Sequence, residues 1–152
     1  MIKRSQRMQT VERVVSDVER KRAEALAVGE RRVAEAESRL TELETYQKSY
    51  ADQFNTRAGA GIGAAGLRDY QTFMTRLADA VKQQVQIVAK TKQDRDAEMK
   101  TWQQAAQRSE AVGGLVKRWQ NEERKESDRS DQRESDERAQ RPTPQAVRAR
   151  DT

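Results

Sequence analysis

The chain has 152 residues, 36% of them charged and 34% hydrophobic, and a net charge of +5 from 30 basic and 25 acidic side chains. That length allows one domain, and such polarity excludes a thick globular core. With neither cysteine nor histidine, the chain lacks disulfides, a thiolate nucleophile, the usual general base and the commonest metal ligand.

No run of about 18 apolar residues occurs, so no segment is expected to span a membrane. The opening Met1-Ile2-Lys3-Arg4-Ser5-Gln6-Arg7 is basic but leads into no apolar stretch, unlike a signal peptide, and the expected address is the cytoplasm. The positive excess is modest, with both signs interspersed, which argues against a dedicated nucleic-acid binder.

A first helix is expected over residues 5–56. Its apolar residues fall at Val11, Val15, Val18, Ala25, Val33, Ala36, Leu40, Leu43, Tyr46, Tyr50 and Phe54. Steps of three, four and seven dominate, the period of a helix with one apolar seam. The seam shifts by about one position near Ala25 to Val28, beside Gly29, so a local stutter or bend is expected there. Arg22 and Arg32 interrupt the seam and should loosen its packing.

Residues 57–66 form the connecting turn. Four of the seven glycines crowd into "NTRAGAGIGAAG", and Gly61-Ile62-Gly63-Ala64-Ala65-Gly66 spells the dinucleotide fingerprint G-x-G-x-x-G. That fingerprint works only after a β-strand at the mouth of a parallel sheet, with an acidic residue about twenty positions on. Here a helix precedes it and no strand-like alternation exists. Glycine is instead what a helix end needs to take a left-handed conformation and reverse.

A second helix follows over 67–119, with its seam at Leu67, Tyr70, Met74, Leu77, Val81, Gln84, Val88, Thr91, Arg95, Glu98, Trp102, Ala105, Ser109, Val112, Val116 and Trp119. The expected fold is all-α: two long helices forming an antiparallel coiled-coil hairpin. If Tyr50 lies opposite Phe73, Val11 meets the region of Val112 and Trp119 reaches the N-terminus. Pairing should then end near residue 120. Gly113-Gly114 interrupts this helix and is expected to bend it. Residues 120–140 read as a charged helical extension supported by pairs such as Arg124–Asp128 and Glu134–Arg138. Residues 141–152, with two prolines, are expected to be disordered.

Two surface features stand out. Antiparallel folding gathers Lys3, Arg4, Arg7, Arg108, Lys117 and Arg118 at the end that holds both termini, either as a solvated face or as a basic tip for an acidic socket. Beside the seam, Phe73, Ala80 and Ile87 repeat every seven residues and, with Leu77, widen the apolar face. That line either packs on the first helix or is left exposed for a partner. Trp102 and Trp119 lie on the seam and are read as core.

The order of these pieces resembles the FliJ family, the small coiled-coil component of the bacterial flagellar type III export apparatus. The resemblance covers roughly residues 8–139. It rests on the Ala/Glu-rich first helix ending in "LTELETYQKSY", the Gly/Ala break, the aromatic-led second helix and the closing "DQRESDERA". It implies a non-enzymatic stalk-like protein, with no cofactor and no small-molecule substrate, at the cytoplasmic side of the inner-membrane apparatus. The end with both termini would sit in the ring of the export ATPase, FliI, and the middle would contact the export gate protein, FlhA. Handling of export chaperones is implied as well. The family's gate-contacting pattern maps onto Phe73, Leu77 and Ala80, with Gln84 a turn later. Three alternatives stay open: an injectisome stalk protein, a basic coiled coil that binds nucleic acid, and a structural spacer.

Overall fold

The computed structural model describes residues 2–141. Two helices account for almost all of them: α1, Arg4–Ala58, and α2, Ala64–Gln140, joined by a short turn at 59–63. They pack antiparallel as a hairpin. The chain divides into two units, one of Asp17–Ala106 and one that joins Met1–Ser16 to Gln107–Thr152.

In the unit of Asp17–Ala106 the register is set by ring packing and one buried amide. Tyr50 lies on Phe73 with centroids 4.2 Å apart, and Phe54 stacks on Tyr70 at 3.6 Å. The Gln84 side chain donates to the Ala36 carbonyl at 3.0 Å. Farther from the turn, a Cβ added to Gly29 would lie 3.5 Å from the Arg95 Cα, so the two backbones run close together there. In the other unit the Arg4 guanidinium lies 4.4 Å above the Trp119 ring, which puts Trp119 at the N-terminal turn as the register requires.

The seam of α2 follows its expected three-four alternation. Leu77, Gln84, Val88, Ala105 and Val116 are buried. The seam positions between them are half-buried from Tyr70 to Glu123, while Leu67 is exposed. In α1 the seam differs from expectation. Val11, Val18 and Tyr46 are exposed at 41%, 41% and 51%, and the buried residues are Ser5, Leu26, Gly29, Val33 and Ala36. Met8, Glu12, Val15 and Glu19 occupy half-buried seam positions between these, and Gln47 one beyond them. The alternation therefore keeps one phase from Ser5 to Phe54, interrupted, as expected, at Arg22, which is turned to solvent, and the expected stutter at Ala25 to Val28 is absent. A two-helix seam stays half wet, so it accepts a glutamate at a core register where a thicker bundle would not.

The turn shows what its glycines are for. The Ala60 and Gly61 amides donate to the Arg57 and Ala58 carbonyls, winding α1 into tighter last turns. The chain then reverses at Gly61, whose φ of 93° suits glycine. Ile62 folds back over the start of α2, and a Cβ at Gly66 would come within 2.8 Å of its Cγ2. The "GIGAAG" match thus serves a reversal and a close contact.

Helix α2 runs through Gly113-Gly114 without a break and extends to Gln140, with residues 124–140 fully exposed. Pairing with α1 reaches Glu123, a turn beyond the expected end. Arg133–Glu126 and the expected Arg138–Glu134 pair lace the extension; Arg124–Asp128 is not paired among the described residues. The expected tail, from residue 142 onward, lies outside the described residues. Among the described residues no helix is long and apolar enough to cross a membrane.

Candidate docking surfaces

The terminal end is built on a helix start that its own sequence caps only through Gln6, whose Oε1 accepts from the Lys3 amide at 3.4 Å. The first turn of α1 carries no acidic side chain, yet its free N–H groups and positive dipole end favour an anion. Helix α2 supplies one. Glu123 accepts from the Ser5 amide at 3.1 Å and from the Ser5 hydroxyl at 2.6 Å, and Glu122 pairs with Arg4 at 3.1 Å. The Ser5 hydroxyl, ahead of its amide and of Lys3 and Arg4, outweighs burial and holds the Glu123 carboxyl below its ordinary value of 4.5. Reading the pairing as ending at 120 missed both carboxylates. Carrying the three-four alternation one step past Trp119 finds Glu123.

Of the six predicted basic residues, Lys3, Arg7, Lys117 and Arg118 are exposed at this end. Arg4, also exposed, is held between Trp119 and Glu122. Arg108 is exposed too, but stands about 15 Å along α2 from Arg118 at 1.5 Å per residue, behind the patch.

The four residues of the predicted gate-contacting line divide into two pairs. Phe73 and Ala80 lie half-buried on the flank of α2. Leu77 and Gln84, only 7% and 6% exposed, lie in the seam beneath them, and Gln84 is tied to α1. Phe73 meets the Tyr50 ring and the edge of Tyr46, whose centroid is 6.2 Å away. Packing on α1 therefore describes the Phe73 end of the line. At the other end Ile87 is 48% exposed and meets the open-face description. The exposed Tyr46 adds an aromatic surface that the α1 reading had placed in the core. Among the described residues no cluster of three or more possible metal ligands occurs.

The flagellar FliJ protein family matches the chain over residues 4–146, the whole of both helices and beyond. The chain belongs to the FliJ family. The flagellar FliJ proteins of Salmonella typhi and Escherichia coli (strain K12) are 33% and 32% identical to it over 107 residues, which is 70% of this chain and 73% of each of theirs. No solved structure matches it. As a FliJ-family protein it is a non-enzymatic coiled-coil component of the flagellar type III export apparatus, peripheral to the membrane and working with other components of that apparatus. Family membership selects the flagellar reading over the three alternatives that the sequence left open.

Proposed function

We propose that the chain is a stalk that couples the export ATPase ring, FliI, to the export gate protein, FlhA. One observation carries the reading. The first turn of α1 and the last paired turns of α2 lie side by side, so Lys3, Arg7, Lys117 and Arg118 form a single cationic end. An acidic socket in the ring would draw in such an end and orient it, with Arg108 gripped farther up and Arg4 holding the end together. On the flank of α2, Phe73, Ala80 and Ile87 offer apolar surface to the gate, while Leu77 and Gln84 hold the rotation of α2 from beneath. Escort of export chaperones would use the same flank in turn with the gate.

The test is ATP hydrolysis by the cognate export ATPase, titrated with the native chain and with a variant carrying Glu at Lys3, Arg7, Arg108, Lys117 and Arg118. Stimulation by the native chain alone, at matched helicity, is expected. If the native chain neither stimulates nor binds the ATPase, the stalk reading fails. Binding to the gate is checked separately with Ile87→Glu, which should weaken it about ten-fold and leave the hairpin intact because the side chain is exposed.

A further inference from the structure

The glycines of the two helices fall into groups with different reasons. Gly29 sits where the α2 backbone approaches, and Gly66 lies under Ile62. Gly113 and Gly114 have no such reason. Both are helical, neither has a positive φ, and nothing lies within 4 Å of a Cβ added to either one. Alanine would fit at both. Each glycine lowers the local helix equilibrium about five-fold relative to alanine, so the pair lowers it about thirty-fold. Adjacent glycines are also where long helices bend.

The surroundings leave room for a bend. A cavity of about 500 Å³ opens beside the pair, lined by Gln9, Glu12, Arg13 and Ser16 of α1 and by Lys117 and Gln120 of α2. Past the pair, α2 is held by buried Val116 and by a polar clasp: Arg4 on Trp119 and Glu122, and Ser5 on Glu123. Beyond the clasp α2 is exposed on all sides. Of the clasp only Ser5 is buried, while Arg4 and Glu122 are exposed and Trp119 and Glu123 half-buried, so a partner or a change in charge can release it.

We propose that Gly113-Gly114 is a hinge, at which the end of α2 swings away from α1 when the Arg4/Ser5 clasp lets go, uncovering Val116 and Trp119. The swing is a property of this chain alone and holds whichever partner grips the end. In the closed state the end is a polar, cationic tip. In the open state the same end adds an indole and a valine to its binding surface.

Hydrogen exchange on the full-length chain tests the hinge. Amides of residues 114–123 should exchange at least ten-fold faster than those of 84–91. Gly113→Ala with Gly114→Ala should slow them ten- to thirty-fold, with 84–91 unchanged within two-fold. Arg4→Gln with Ser5→Ala, which opens the clasp and spares the glycines, should speed exchange at 114–123 and leave 84–91 as it was. Equal protection of the two segments in the native chain would overturn the proposal, as would a slowing by the alanine pair that is uniform along the chain. A lower melting temperature for the alanine variant would also overturn it, by giving the glycines a packing role.

Discussion

The two units of the hairpin are held by different physics. Around the turn, Tyr46, Tyr50 and Phe73 pack as one ring cluster and Phe54 stacks on Tyr70 as a second, backed by buried Leu77, Val88, Val33 and Ala36. At the terminal end one buried apolar side chain among the described residues, Val116, is supplemented by one cation over an indole and three polar contacts to Glu122 and Glu123. Apolar burial depends little on salt or pH, whereas an exposed polar clasp responds to both. One unit is therefore built to stay shut, and the other to respond to its surroundings.

The contrast breaks most directly through Leu77. Leu77→Ala removes buried methyls from the middle of the apolar seam and should lower the stability of the hairpin by about 2–4 kcal/mol, read by urea denaturation. An exposed apolar residue makes the control: Val14→Ala, at a site 57% exposed, should change it by less than about 0.5 kcal/mol. Equal losses at the two sites would mean that the seam is not where the structure puts it.

The apolar unit has one weak point of its own, and repairing it sharpens the comparison. Glu98 lies on the seam, and its Oε2 is buried without a hydrogen-bond partner, while neighbouring Arg95 is engaged with Asp96. A buried acceptor left unpaired is expensive, so Glu98→Leu should raise stability by about 1–2 kcal/mol in the same denaturation assay. A loss instead would show that the carboxylate finds a partner in solution.

How legible this was depended on the helix. The α2 seam could be read because its apolar letters and its register coincide at Leu77, Val81, Val88, Trp102 and Val116. In α1 they part. Val11, Val18 and Val28 are apolar but exposed, whereas Ser5, Glu12 and Glu19 are polar but face α2. Tracking hydrophobicity alone produced a stutter that is not there. Counting back by three and four from Val33 would have found Gly29, Leu26, Glu19, Val15, Glu12, Met8 and Ser5, with Arg22 the one exposed position in the row. The cationic end was visible from charge and topology. Its clasp was not, because a carboxylate on one helix capping the start of another is a tertiary fact.

Salt probes the terminal end more gently than mutation does. At 1 M ionic strength the Debye length falls to about 3 Å, and exposed pairs such as Arg4–Glu122 lose most of their small contribution, about 0.5 kcal/mol each. Exchange at 114–123 should therefore rise with salt while the ring cluster, followed by tyrosine fluorescence, stays unchanged. Equal sensitivity at the two places would erase the distinction between the units.

The smallest expected effect is also the most specific, because it turns on one proton. The Glu123 carboxyl is held below its ordinary value of 4.5, first by the Ser5 hydroxyl. A group depressed by folding stabilises the fold above its unfolded value and loses that contribution as pH falls through its folded value. The clasp should thus be intact at neutral pH and loosen only below about pH 4.5, seen as a change in Trp119 fluorescence in a Trp102→Phe background. Ser5→Ala removes the main cause of the shift, so its fluorescence transition should move up toward the ordinary carboxylate range. If native chain and variant titrate together, Glu123 is not closed on Ser5 in solution. The terminal end would then rest on Val116 and on the contacts of Arg4 with Trp119 and Glu122.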